Sequence, residues 1–204
     1  MTTSLIYKNA SLYEFAMLVL YGRHYTSRYR AIAELIPAGS SVLDVCCGPA
    51  ILYHRYLRAK SVRYTGLDIN AKFIARLNRR GGSGQVWDLR GEEPLPPADY
   101  VIMQASLYHF LPDPSRVVDR MRKGARKRVI IAEPIRNLAT SDSRVLSLLG
   151  RLFTNPGVGE HSLRFTEGSL QTFFAGYASC VADSFTIAGG REQVYVLNER
   201  PVSL

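Results

Sequence analysis

Cysteine is scarce in this chain, with three in 204 residues and two of them adjacent at Cys46 and Cys47. That supply excludes a disulfide framework, and the absence of Cys-x-x-Cys or Cys/His spacing excludes the usual zinc sites. A reducing compartment, the cytoplasm, is the expectation. No apolar run approaches the roughly 20 residues of a membrane span, and Glu14 interrupts the only signal-like stretch, Leu12 to Leu20. Acid is also short, with 17 Asp and Glu against 26 Lys and Arg and a net charge of +9. Attraction to nucleic acid, phosphate or the surface of an anionic membrane therefore has to be weighed. The cations gather as Arg120, Arg122, Lys123, Arg126, Lys127 and Arg128, as Arg55, Arg58 and Lys60, and as Arg76, Arg79 and Arg80. Each group falls near the C-terminus of an expected helix, where a cation meets the macrodipole, so surface placement explains most of them.

Beyond these absences the composition is ordinary, 47% hydrophobic and 21% charged, enough for a single buried core. Two aromatic-rich helices are expected at Ser11 to Tyr21 and Ser27 to Leu35, closed by Pro37 and Gly39. Short β-branched runs then alternate with helical patterns. Strands are expected at Ser41 to Cys46, Val62 to Leu67, Gln85 to Trp87, Tyr100 to Met103 and Arg128 to Ala132, and helices at Pro49 to Leu57, Ala71 to Asn78 and Pro114 to Lys123. Such alternation implies crossovers and a parallel sheet covered on both faces. A long connection follows the fifth strand and carries an apolar helix from Val145 to Phe153, a candidate lid or substrate wall. Thr166 reads as the N-cap of Glu167 to Ala175, and Gly189 and Gly190 join two strands, Ala178 to Ile187 and Gln193 to Leu197, as an antiparallel hairpin.

The chemistry concentrates in Val42-Leu43-Asp44-Val45-Cys46-Cys47-Gly48-Pro49-Ala50, an apolar strand ending in a carboxylate and a tight turn that starts a helix. Ligands of open α/β sheets bind at such carboxyl edges. The run Tyr64-Thr65-Gly66-Leu67-Asp68-Ile69-Asn70 puts a second carboxylate at the tip of the next strand, where it suits a ribose diol. Taken singly, Asp44 could be a turn residue and Asp68 a helix cap. Two acids at consecutive tips point instead to a cofactor. A pyrophosphate wants a glycine-rich turn, but Cys46 and Ala50 occupy two of the glycine positions and Asp44 adds repulsion, so a dinucleotide is disfavoured. S-adenosylmethionine carries an ammonium and a sulfonium without phosphate, and matches these charges.

Val42 to Ala50 resembles the first motif of class I S-adenosylmethionine-dependent methyltransferases, written Asp-x-Gly-x-Gly-x-Gly, with Cys46 and Ala50 as departures that imply a tighter pocket floor or a shifted turn. Leu67-Asp68-Ile69 resembles the second motif and Trp87-Asp88-Leu89 the third, whose acid contacts the adenine amino group in that family. Asp99 to Phe110 resembles the fourth-strand motif of the small-molecule enzymes, and Ile130-Ile131-Ala132-Glu133-Pro134 the fifth strand. The resemblance covers roughly Ser40 to Leu197. It implies an α/β fold, a seven-stranded, mostly parallel Rossmann-like sheet with helices on both faces and a C-terminal antiparallel hairpin. One domain is expected over residues 1–204, with a helical lead-in at 1–39, a cofactor-binding half at 40–134, a lid-like connection at 135–165 and the helix and hairpin at 166–204. It further implies S-adenosylmethionine as cofactor, S-adenosylhomocysteine as product, and contacts from Asp44, Cys46, Cys47, Gly48, Asp68, Ile69, Asp88, Leu89, Gln104 and Ala105.

Methyl transfer from a sulfonium is an in-line displacement that mainly requires alignment. A hydroxyl acceptor also needs a base; His109 is the candidate, with Tyr108 beside it as a pocket-lining or packing residue. His161 and Arg164 could reach a polar acceptor. Tyr7, Tyr13, Tyr21, Tyr25 and Tyr29 are candidates for covering the sulfonium or for core packing. Because Gln104-Ala105-Ser106 replaces the Asn-Pro-Pro-Tyr of enzymes acting on base nitrogens, and the cations around Arg120 to Arg128 precede the fifth strand, a small hydrophobic or lipid-like acceptor is favoured over nucleic acid. RNA methylation and non-catalytic cofactor binding are the alternatives. No acidic cluster suggests a metal.

Overall fold

Strands whose residues are apolar on both faces belong in the middle of a parallel sheet, and Ser41–Val45 (β1) is such a strand, with Val42, Leu43 and Val45 at most 1% exposed. The structure is a computed structural model that describes residues 24–135 and 164–199. The helix expected at Ser11 to Tyr21, the helix expected at Val145 to Phe153, and His161 lie outside those residues. The order along the chain is α1 (His24–Glu34), β1, β2 (Arg63–Asp68), α2 (Ala71–Arg79), β3 (Ser83–Val86), β4 (Ala98–Gln104), α3 (Ser115–Gly124), β5 (Ala125–Pro134), α4 (Glu167–Ala175), β6 (Val181–Ile187) and β7 (Glu192–Asn198).

These strands form one seven-stranded sheet in the order β3-β2-β1-β4-β5-β7-β6. β1 pairs in parallel with both β2 and β4, whereas β7 runs antiparallel to both β5 and β6. The expected fold is therefore present, hairpin included. The chain leaves β1 towards β2 and β3, then returns to β4 on the other side, which opens a crevice at the carboxyl ends of β1 and β4. Alternation along each strand sends Val42, Ile102, Ile130 and Val194 to one face, with Ile32 and Ile36 from α1 and its exit, and Leu77 from α2. Leu43, Val101, Val129 and Leu197 face the other side, against Val118 and Met121 of α3 and Leu170 and Phe174 of α4.

Some element boundaries move. After the first turn, the expected helix from Pro49 to Leu57 winds as a π-helical segment at Tyr53–Leu57, whose wider ring is closed by the Arg58 N–H on the Tyr53 carbonyl, and tightens to a 3-10 turn at Arg58–Lys60. Ala178–Cys180 is a 3-10 turn instead of strand, because the N–H groups of Cys180 and Val181 both bond the Tyr177 carbonyl. Several cations of the basic runs have structural partners. Lys60 donates to the carbonyls of Ala33 and Ile36 at 2.6 and 2.5 Å, tying off α1. Arg120 donates to the carbonyls of Leu89, Gly91 and Glu93, and Arg122 donates to that of Asn198. Lys127 faces Asp99 and Arg128 faces Glu199. No helix among the described residues is long and apolar enough to cross a membrane.

Candidate active site

Of the three glycine positions in the turn after β1, only 48 keeps a glycine, yet all three share one region of backbone conformation. Cys46, Gly48 and Ala50 have φ values of 57°, 54° and 54°, the left-handed region at each alternate position. A non-glycine residue held there costs on the order of 1 kcal/mol, so Cys46 and Ala50 store strain where a glycine would not. Ala105, following β4 at the same sheet edge, has φ 49° and adds a third strained residue. Clustering of such strain is a mark of functional sites.

Hydrogen bonding shows what this turn can hold. The Cys47 N–H bonds the Leu67 carbonyl, the Gly48 N–H bonds Asp68 Oδ2 at 2.8 Å, the Ala50 N–H bonds the Cys47 carbonyl, and residue 49 is proline. The N–H groups of residues 47 to 50 are thereby engaged within the protein or missing, and they make no phosphate cradle. Asp68 also accepts the Asn70 N–H at 2.7 Å, but the cap of α2 is Asn70, whose side chain accepts the Lys72 N–H. Asp68 is therefore a turn-fastening carboxylate facing the site, not a helix cap. Asp44 is 2% exposed and its Oδ2 accepts the Tyr64 hydroxyl at 2.8 Å. Burial pushes the Asp44 carboxyl up to about 7, the Tyr64 hydrogen bond pulling down and Asp68 pushing further up. Burial likewise raises Asp68, and burial next to these carboxylates raises the thiols of Cys46 and Cys47. Paired carboxylates in a dry edge suit a cation.

Of the remaining expected contacts, Ile69 is 49% exposed just beyond Asp68, and Val86, which ends β3, is 56% exposed. Together they offer an exposed apolar patch beside Asp68. Trp87 bonds back to the Asp68 carbonyl, which brings Asp88 to the same edge, but Asp88 is chelated by Arg90 and lowered by it. Leu89 is buried in the core at 5% exposure. Gln104 ends β4 with its Oε1 buried and unpartnered among the described residues, an acceptor in want of a donor. An ammonium at the carboxyl end of β4 would supply one, and with Asp44 and Asp68 on the neighbouring tips the residues fit the expected cofactor.

Tyr108 and His109 sit on a 3-10 turn at Leu107–Phe110, half-buried, with ring centres 4.0 Å apart. The Arg164 guanidinium lies 3.5 Å over the Tyr108 ring. Beneath them is Glu133, which sequence reasoning did not select. It is 1% exposed and accepts the Leu107 N–H at 3.0 Å, and burial raises it to about 8 against the backbone N–H groups of Leu107 and Tyr108 and the charge of Arg164. This carboxyl seats the turn that carries His109. Tyr25 and Tyr29 are core residues at 2% and 7% exposure, in edge-on contact with each other, and Tyr7, Tyr13 and Tyr21 lie outside the described residues. Among the described residues no group of three or more His, Cys, Asp or Glu is placed to hold a metal.

A seven-stranded sheet of this order, with a glycine-motif turn and acidic residues at the first two strand tips, defines the fold as that of class I methyltransferases. Residues 26–148, more than half the chain, match the family described as methionine biosynthesis protein MetW, and the chain belongs to that family. No curated protein matches. Solved structures agree on the fold. Magnesium protoporphyrin IX methyltransferase from Synechocystis PCC 6803, with bound SAH, superimposes with TM-score 0.60 at 17% identity over 85% of this chain and 82% of that one. The putative methyltransferase of Haloferax volcanii in complex with the activator Trm112 gives TM-score 0.70 at 13% identity over 98% and 100%. Human N-acetylserotonin methyltransferase in complex with SAM gives 0.62 at 14% over 95% of this chain, which spans only 57% of that protein.

Proposed function

We propose that the protein binds S-adenosylmethionine at the carboxyl edge of β1, β2 and β4 and transfers its methyl group to a small, hydrophobic or lipid-like acceptor. The observation that carries this reading is the pairing of a left-handed 46-48-50 turn with Asp68, which takes up the Gly48 N–H. The turn loses its phosphate donors and gains negative charge. A dinucleotide is disfavoured, and a phosphate-free cation is favoured. The assigned roles are the ammonium at Asp44, Gln104 and the turn Cys46-Cys47-Gly48, the ribose at Asp68, and the adenine near Ile69 and Asp88, with Ala105 and Leu89 lining the edge. Methyl transfer then needs alignment more than chemistry from the protein. For an acceptor that must lose a proton, His109 is the base and Tyr108 a wall of its pocket.

RNA loses ground as acceptor because Arg120 and Arg122 are engaged by backbone carbonyls. A hydrophobic acceptor draws support from the apolar sequences 12–19 and 145–153. Calorimetry with S-adenosylmethionine and S-adenosylhomocysteine tests the cofactor, and labelled methyl transfer over a panel of hydrophobic acceptors tests the reaction. Tight binding without turnover on any acceptor would favour a non-catalytic role. Asp68→Ala is expected to weaken cofactor binding by ~1 to 3 kcal/mol; unchanged affinity in a folded variant would misplace the ribose.

A further inference from the structure

The Tyr64 hydroxyl has no place in the reading above, yet it is the one hydrogen-bond donor that the described residues supply to the Asp44 side chain. Both residues point to the same face of the sheet, from neighbouring strands in register Val42↔Tyr64 and Asp44↔Gly66. Tyr64 is 6% exposed and its ring is stacked on Tyr53 of the π-helical segment, 4.4 Å between centres and 18° from parallel. Gly66 leaves room for this arrangement, since a Cβ there would lie 2.8 Å from Cys47 Sγ and 3.3 Å from the Tyr64 ring. The hydroxyl therefore meets Oδ2 from a buried, stacked ring, and Oδ1 remains for a ligand.

We infer that Tyr64 is a positioning residue for the cofactor: it holds Asp44 so that the free carboxylate oxygen meets the ligand ammonium, and it sets the pH range over which the pair attracts that cation. This rests on the cofactor assignment proposed above and extends it to a residue outside the glycine motif. The groups facing Asp44 are Tyr64 and Asp68 from β2 and the thiols of Cys46 and Cys47 from the turn. Burial holds Asp44 near 7, so close to neutrality the unliganded carboxyl is partly protonated and gives a proton to solvent when an ammonium docks. Affinity should rise with pH through that region. The ligand's α-ammonium, beside its own carboxylate, keeps its proton over most of this range, so the rise should level off above neutrality.

The experiment is titration calorimetry of the full chain with S-adenosylhomocysteine from pH 5.5 to 9, on wild type, Tyr64→Phe and Asp44→Asn. For wild type a rise to a plateau is expected, its rising limb approaching tenfold per pH unit at the acid end. Tyr64→Phe keeps the ring stack but removes the hydroxyl that lowers Asp44. Its rising limb should move to higher pH, with affinity at pH 6.5 down on the order of tenfold. Asp44→Asn should have no rising limb. A merely structural tyrosine would weaken binding equally at every pH. A rising limb unmoved in Tyr64→Phe, or a wild-type affinity flat from pH 5.5 to 7.5, overturns the inference and leaves the cofactor reading standing; no binding by folded wild type at any pH overturns both.

Discussion

At the scale of single residues, the left-handed backbone positions bear the clearest consequences. Ala105 is half-exposed at φ 49°, so a glycine there relieves strain and gives up little buried surface. Ala105→Gly is expected to raise stability by ~0.5 to 1 kcal/mol, read as a shift of the denaturant midpoint to higher concentration; a lower midpoint would show that the methyl group matters more than the strain. Glu133 makes a prediction of opposite character. Its folded-state carboxyl is raised from 4.5 to about 8, so its contribution to stability is complete below the unfolded value and is lost as pH climbs towards and through 8. Asp44 loses stability in the same sense but is finished near 7. Between pH 7.5 and 8.5 the remaining decline belongs mainly to Glu133, and Glu133→Gln, which still offers an oxygen to the Leu107 N–H, should flatten it. An equally steep decline in that variant would assign the pH dependence elsewhere.

Among the elements, α4 shows what local sequence can specify. The Thr166 side chain accepts the Ser169 N–H while the Ser169 hydroxyl accepts the Thr166 N–H, a reciprocal cap that the Thr-x-x-Ser spacing announces. Thr166 is exposed, so Thr166→Ala removes the cap without a cavity. A loss of about 1 kcal/mol is expected in equilibrium unfolding, and a change within 0.3 kcal/mol would show that packing of Leu170 and Phe174 alone holds the helix. The strands of the parallel half and the α4 boundaries were legible for the same reason, since period and capping are written over a few adjacent residues. The first turn was legible too: Asp44, Gly48 and Asp68 lie in contiguous motifs. The π-helical winding of Tyr53–Leu57 was not, because no residue type distinguishes it from an ordinary helix. Nor were Glu133 under the 107–110 turn or Tyr64 against Asp44, whose roles depend on contacts 26 and 20 residues apart in the chain. A carboxylate ending an apolar strand at Ile131-Ala132-Glu133 is the signal that could have found the first.

At the scale of the whole fold, the first described helix is tied to the last hairpin by a buried ion pair. Arg28 of α1 and Glu192 at the start of β7 are 2% and 0% exposed, with Arg28 Nε 2.9 and 3.2 Å from the two carboxylate oxygens. One turn earlier, His24 lies against the Gly189 turn, where an added Cβ would come within 2.9 Å of the imidazole and φ is +67°. These contacts fasten the first described helix to the last hairpin, across one face of the sheet and at its carboxyl edge. A buried ion pair adds little net stability over an apolar pair of the same shape, but removing one partner strands the other charge. Arg28→Met is therefore expected to cost ~3 to 5 kcal/mol in equilibrium unfolding, and the double variant Arg28→Met with Glu192→Leu should regain most of it. If the single variant loses less than about 1 kcal/mol, the scale of an exposed pair, solvent reaches Glu192 in solution and helix and hairpin are not locked. If the double variant is stable yet binds S-adenosylhomocysteine normally while methyl transfer falls, the lock serves the acceptor side of the edge and not the cofactor turn, since Asp44 and Asp68 draw their partners from β2 and from the loops that follow β1 and β2.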